Sequence, residues 1–348
     1  MAVATTDTAL GSHRPRIRPV RGARTLRELG ITVVVVMAVL LWVGPSLYRQ
    51  DLVFLAAMYG LVALGMYVPF VLAGSLSMAY SAYAAIGAYA VALVAKHTDW
   101  SMWWGWIAGA VLSALVALVL GLVTQRLSGF YLAAVTLLFS LAFKYWIIDA
   151  RSITGGAGGI TRIPPISVFG WEPPGHALVA AAVVFVCAIA VLVDRLRKSV
   201  WGITLQASRE SEDAVRAAGV KPAHLRMVAL AIGAAIAAFG GSLFVGSVQA
   251  VTPETLTLNL VFLAIFMPII GGRGTAWGAP LGAVVVVVVT LNMPGYQGSG
   301  ELLLALAVLL IIIVAPGGLI GYAQWCWARL RAAMGANRGN SAGQGGAR

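Results

Sequence analysis

Charge is scarce in this chain. Asp, Glu, Lys and Arg make up 10% of its 348 residues, and only 12 are acidic, against about 25% charged residues in an ordinary soluble domain. That deficit excludes a chain bathed in water over most of its surface. Cysteine is nearly absent as well. Cys187 sits in an apolar run and Cys326 near the end, without CxxC spacing, so neither a disulfide framework nor a thiolate metal site is indicated. The four histidines, His13, His97, His176 and His224, are scattered. No carboxylates pair at helical spacing within an apolar run, which leaves nothing to build a catalytic centre from. The one Gly-dense loop, "RSITGGAGGITRIPP" (151–165), lacks the lysine that a phosphate-cradling P-loop requires. No cofactor or metal is therefore expected. The balance of charge is basic, +12, but no basic patch carries interleaved aromatics, so nucleic acid is not an expected partner.

What the chain does have is apolar length. Hydrophobic residues make up 60% of it and the mean hydropathy is +0.90. Each span of a bilayer needs roughly 20 apolar residues. Ten runs qualify: 31–47, 52–72, 76–95, 102–123, 130–148, 176–193, 227–249, 256–270, 277–292 and 301–320. In lipid every backbone N–H and C=O must be satisfied within its own segment, so these runs are expected to be helices. The fold class is an all-α polytopic membrane protein of about ten transmembrane helices. Six arginines (Arg14, Arg16, Arg18, Arg21, Arg24, Arg27) precede the first run, and no small-residue cleavage site follows it. It reads as an uncleaved first span. With the N-terminus inside, nineteen of the 24 Lys and Arg fall in inside segments, against four outside (Arg49, Lys96, Arg151, Arg162). That asymmetry obeys the positive-inside rule and puts both termini in the cytoplasm. Residues 1–30 are then a basic cytoplasmic segment, 31–321 the membrane domain and 322–348 a flexible cytoplasmic tail.

Several segments stand out. Small residues four apart (Gly109, Ser113, Ala117, Gly121, and again Gly233, Ala237, Gly241) allow close helix packing, within the chain rather than across a dimer. The run "GSLSMAYSAYAAIGAYA" is too polar for a helix that faces lipid, so it belongs inside the bundle or along a polar path. Pro69 and Gly271–Gly274 are placed to break helices near it, and the likeness of "AGSLSMA" to "GGRGTAWG" hints at an internal repeat. Lys144 is the one charge within a run. It either snorkels to the interface or meets an anionic group on a substrate. The largest cytoplasmic element, 194–227, is mixed in charge and helical at its centre. Ser208 is placed to cap that helix, Glu210, Glu212 and Asp213 lie near its N-terminal end, and Gly219 stops it three residues before Pro222. Such an element is a surface for a cytoplasmic partner or a solvated loop.

At these residues the chain resembles the permease subunits of ABC importers for branched-chain amino acids, the LivM type. "GSLSMAYSAYAAIGAYA", "RLSGFYLAAVTLLF", "SITGGAGGITRIP", "SVWGITLQASRESEDAVRAAGV", "GGRGTAWGAPLGA" and "APGGLIG" match that family's segments in order. The resemblance implies a transporter subunit, not an enzyme, in the bacterial inner membrane. It implies a second, LivH-like permease subunit, two cytoplasmic ATPases that hydrolyse the ATP, and an extracytoplasmic binding protein that delivers substrate. It places ATPase coupling on Arg209, Glu210, Glu212, Asp213, Arg216 and Gly219. The binding-protein side falls on Arg151, Thr154, Gly155, Gly156 and Arg162. Ser77, Tyr80, Thr136, Ser140 and Lys144 are the candidate substrate-pathway residues. In one respect the chain departs from its relatives: Phe130 and Leu141 are apolar where a polar residue is often found. The same machinery serving another small polar solute (urea, a short amide, an organic acid) stays open, as does an ion-coupled secondary carrier. The lack of buried Asp or Glu argues against the carrier.

Overall fold

The computed structural model describes residues 22–44, 46–98, 100–127, 129–166, 173–291, 306 and 317–322. Arg14, Arg16, Arg18 and Arg21, most of the tenth run, Cys326 and the tail beyond residue 322 lie outside them. The described chain is helical almost throughout. Its helices are α1 (Gly22–Val43), α2 (Leu47–Tyr67), α3 (Tyr80–His97), α4 (Met102–Thr124), α5 (Phe130–Asp149), the single turn α6 (Arg151–Thr154), α7 (Gly175–Lys198), α8 (Val200–Glu210), α9 (Glu212–Ala217), α10 (Pro222–Val248), α11 (Leu258–Gly271) and α12 (Gly278–Leu291). The first nine apolar runs each hold one long helix. Among the described residues, five segments are long and apolar enough to cross a membrane: Leu47–Leu72, Met102–Thr124, Phe130–Asp149, Gly175–Lys198 and Pro222–Val248.

α3 is not among those five, for the reason its composition gives. It is small-residue and tyrosine rich, and protein surrounds it: Tyr80, Tyr83, Ala84, Ala88 and Ala92 are all but inaccessible. It packs on α10 and α4, and α10 crosses α2 on its other side. The small-residue stripes make these crossings close. A Cβ on Gly87 would come within 2.6 Å of the Ala238 carbonyl carbon, and one on Gly109 within 2.9 Å of the Gly87 Cα. Ser113 and Ser242 tie the same crossing by donating to the carbonyls of Tyr83 (3.0 Å) and Gly87 (3.2 Å). These stripes therefore serve packing within the chain. α4, α5 and α7 each bury one face and leave the other open, with Leu115, Leu138 and Leu192 half or more exposed.

Two expectations change. The third helix starts at Tyr80, not at residue 76. Gly74 has φ +66°, and the stretch 74–79 is irregular because its amides find partners outside a helix: Ser75 N–H donates to the Pro69 carbonyl at 2.9 Å and Met78 N–H to the Thr136 hydroxyl at 2.8 Å. Pro69, which has no N–H to give, lies in a π-helical turn, Val68–Leu72, that ends α2. The repeat holds only in part. Pro268 inside the last turn of α11 and Gly272 (φ +117°) just after it form a similar break, but α12 then packs along α11, whereas α3 leaves α2 for α10.

The described loops sort to two ends. At one end the π-helical turn, the α4–α5 turn, α8–α9 and the α11–α12 junction are neighbours. At the other, β1 (Ile160–Thr161) pairs antiparallel with β2 (Ala250–Val251), joining the α5–α7 loop to the α10–α11 loop. These are called the coupling end and the mouth end below.

Candidate functional site

α5 buries one stripe, Leu132, Ala133, Thr136, Ser140 and Ile147, which runs from the coupling end to the mouth end, and it meets α3 along this stripe. The spacing of four and seven is one face of a helix. Along this seam the polar atoms pair across the helices. Thr136 accepts from Met78 N–H and donates back to the Leu132 carbonyl at 2.8 Å. One turn on, the buried hydroxyls of Ser81 and Ser140 lie 2.5 Å apart. Beyond them the helices part and the Thr252–Leu256 turn closes over the gap. The cavity left there is lined by Ser81, Tyr89, Ser140, Lys144 and Thr252, with Phe143, Ile147 and Leu256 as apolar walls. It is too narrow for an amino acid in this conformation. Lys144 Nζ spans its rim to both carboxylate oxygens of Glu254, at 2.9 and 3.0 Å. The Tyr89 hydroxyl is buried in its wall with no hydrogen-bond partner among the described residues.

Of the five pathway candidates, the structure brings Ser140 and Lys144 to this cavity. The other three point their polar atoms at backbone. Ser77 accepts from Ala79 N–H at 3.5 Å, Thr136 accepts from Met78 N–H in the stretch that leads into α3, and the Tyr80 hydroxyl donates to the Gly65 carbonyl at 3.2 Å where α2 crosses α10. Ser81, Tyr89, Thr252 and Glu254 escaped sequence reasoning. Tyr89 and Ser81 were hidden in a run read only as small and polar; Glu254 lies 110 residues from its partner. Among the described residues no group of His, Cys, Asp or Glu could hold a metal ion. Phe130 is 81% exposed at the opposite end of α5, and Leu141 is not among the cavity's lining residues, so the apolar departure at these positions leaves the cavity unchanged.

At the coupling end the 194–227 element is two helices rather than one. α7 and α10 run past their apolar cores, which shortens the connection to 199–221. Ser199 caps α8 by accepting from Gly202 N–H at 3.2 Å, and Ser211 caps α9 by accepting from Ala214 N–H at 3.4 Å. Ser208 does not cap; its hydroxyl donates to the Leu205 carbonyl within α8. Glu212 and Asp213 therefore sit in the first turn of α9, where the dipole favours them, while Glu210 ends α8. Gly219, with φ +82°, terminates α9, and Val220 N–H reaches back to the Val215 carbonyl at 3.2 Å.

Arg209 turns inward. Its guanidinium donates to the Val71 carbonyl at 2.6 Å, and its stem lies where a Cβ on Gly74 would be. It thus links α8 to the π-helical turn and to the start of the stretch leading to α3. Glu212 accepts from two arginines, Arg216 at 2.6 Å on its own helix and Arg226 at 3.0 Å on α10. Asp194, nearly buried at the end of α7, holds Arg197 and Lys198. The Tyr67 hydroxyl donates to the Arg273 carbonyl at 3.1 Å, and the Arg273 guanidinium lies over the Phe70 ring. Asp213 and Arg216 face outward.

The Gly-rich loop is a backbone staple. Thr154 donates to the Ile147 carbonyl at 2.6 Å and accepts from Gly156 N–H at 3.2 Å. Gly155 and Gly156 take positive φ. Gly159 does too (φ +67°), and a Cβ there would meet the Val251 carbonyl head on; only glycine lets β1 lie against β2. Arg151 and Arg162 are exposed at this surface.

Comparison with known proteins adds identity to this geometry. The family described as branched-chain amino acid transport system / permease component matches residues 48–315. The high-affinity branched-chain amino acid transport system permease protein LivM of Escherichia coli (strain K12) is 28% identical over 323 residues, covering 86% of this chain and 76% of that protein. The protein of the same name from Salmonella typhimurium matches to the same extent. The probable branched-chain amino acid transport permease protein LivM of Methanocaldococcus jannaschii is 25% identical over 229 residues, 62% of this chain and 66% of its own length. No solved structure matches.

Proposed function

The chain belongs to the family of permease components of branched-chain amino acid transport systems, and from that premise we propose that it forms part of the path by which an ABC importer carries branched-chain amino acids across the bacterial inner membrane. It is a transport subunit and not an enzyme. On this reading it crosses the membrane about ten times, with the 1–30 segment and the 322–348 tail both cytoplasmic and 31–321 as the membrane domain. A second, LivH-like permease subunit completes the path. Of the two ATPases, one docks at this chain's 194–227 element, on the outward-facing Asp213 and Arg216 and the neighbouring Glu210, Glu212 and Gly219. A binding protein docks at the mouth end over Arg151, Arg162 and the Thr154–Gly156 turn.

One observation carries the reading beyond the family match. The Arg209 side chain ties the cytoplasmic helix pair to the break between α2 and α3. A push on α8 therefore reaches the π-helical turn directly, and α3 carries that movement to the seam with α5. A merely solvated loop needs no such arm. Reconstitution tests the whole. The chain purified with its co-expressed partners is expected to take up leucine or valine into vesicles when ATP and the binding protein are present. Uptake driven by an ion gradient with this chain alone would overturn the ABC reading. ATP-driven uptake of urea or a short amide in place of leucine would overturn the substrate.

A further inference from the structure

We infer that the mouth-end cavity is a binding site for a zwitterionic amino acid with an apolar side chain, and that the Lys144–Glu254 pair opens by exchanging partners with it. This rests on the importer reading and deepens it.

The chemistry of the lining points one way. Lys144 offers three N–H donors, Tyr89 one O–H, and the Ser81–Ser140 pair one proton more than it can use between its two oxygens. All of these favour an anionic oxygen. Among the described residues, the acid that bridges to the cavity's lining is Glu254. An amino acid brings one carboxylate and one ammonium, so it can satisfy both halves of the pair at once. Its carboxylate takes Lys144 and its ammonium takes Glu254. The walls of Phe143, Ile147, Leu256, Ala82 and Ala85 suit a hydrocarbon side chain.

Two observations make exchange cheap and give it a target. The pair is unequal: the Lys144 side chain is 28% exposed and that of Glu254 is 72% exposed. An ion pair whose acid is already in water gains little from its attraction, so Glu254 swings away easily while Lys144 stays. The Tyr89 hydroxyl, 95% buried by residue, is an unpartnered donor in the wall. Such groups are rare in native proteins because water has been lost and nothing has replaced it. A ligand oxygen entering beside Lys144 supplies the missing acceptor. Separation of α5 from α3, or lifting of the Thr252–Leu256 turn, supplies the missing room.

The test uses the assembled transporter in proteoliposomes, with leucine, leucinamide (no carboxylate) and 4-methylpentanoate (no ammonium) as probes. Lys144→Gln is expected to lower kcat/KM for leucine on the order of tenfold or more, and to erase the preference for leucine over leucinamide. Tyr89→Phe should do the same more weakly. Glu254→Gln should keep the carboxylate requirement but narrow the gap between leucine and 4-methylpentanoate. Equal losses for leucine and leucinamide in Lys144→Gln, or none, would overturn the site. A second readout does not depend on uptake. In a background of Cys187→Ala with Cys326→Ala, Thr252→Cys is labelled from outside by a charged thiol reagent. Protection by leucine but not by leucinamide supports the site; equal labelling with either overturns it. Protection without leucine uptake by the unaltered transporter would keep the site and refute the importer reading, so the two failures are told apart.

Discussion

The two ends of the bundle are held together differently. At the mouth end the ties are backbone: β1 against β2, left-handed glycines in a staple, hydroxyls bonded to carbonyls. An ion pair, Lys144 with Glu254, crosses the rim. At the coupling end the ties are side chains, and most are charged: Arg209 on a carbonyl, Glu212 between two arginines, Asp194 with Arg197 and Lys198. Backbone ties fix a surface in one shape. Long charged arms hold elements together while letting them change angle. The difference agrees with the proposal that a partner docks at the mouth end and that the coupling end receives movement.

The largest effect is expected where the mouth-end backbone is broken. Gly159→Val adds a side chain at positive φ and drives it into the Val251 carbonyl, at a cost on the order of 3 kcal/mol. Thermal unfolding in detergent should show it. Gly219→Ala at the coupling end shares the positive φ (+82°) but has open space around it, and should cost about 1 kcal/mol. Equal losses would erase the distinction between the ends.

Arg209→Ala comes next and should read out in function. The assembled transporter is expected to keep hydrolysing ATP while uptake falls by about tenfold, a charge-assisted hydrogen bond being worth about 1.5–3 kcal/mol. Unchanged uptake would mean that α8 does not act through the π-helical turn. Glu212→Gln with Arg216→Ala should impair coupling more than Arg216→Ala alone, because Glu212 also holds Arg226 on α10. The exposed Arg216 pair by itself is worth about 0.3–0.5 kcal/mol, measurable by comparing the unfolding of the single and double variants. The smallest effect on stability is expected from Arg151→Glu with Arg162→Glu. These residues are exposed, so the fold should be unchanged while stimulation of the ATPase by the binding protein falls. Unchanged stimulation would leave this surface as a cap over the bundle.

The sequence carries the fold further than the site. Nine helices are legible because apolar runs in lipid have one solution for their backbone, and the interior position of α3 follows from its small, polar composition. Helix ends are less legible. The non-helical stretch 74–79 depends on Thr136, 58 residues from Met78, accepting that residue's N–H. Ser211 rather than Ser208 caps α9, a choice between two serines that composition does not make. The cavity is legible least of all. Lys144 announces itself as a charge in a greasy helix, but Glu254 and Tyr89 gain meaning only from the approach of the α10–α11 turn to the α3–α5 seam.

The modest hydropathy of α3 has a consequence for how the protein is made. A helix that lipid would not hold by itself enters the membrane in the company of its neighbours. α4 follows it closely and can enter with it as a hairpin. Its other wall, α10, leaves the ribosome more than a hundred residues later. Between those two moments the tyrosines and serines of α3 lack their final neighbours. The half-built chain then depends on the insertion machinery to shelter that face, and a stalled or truncated product ending before α10 is a natural substrate for membrane quality control.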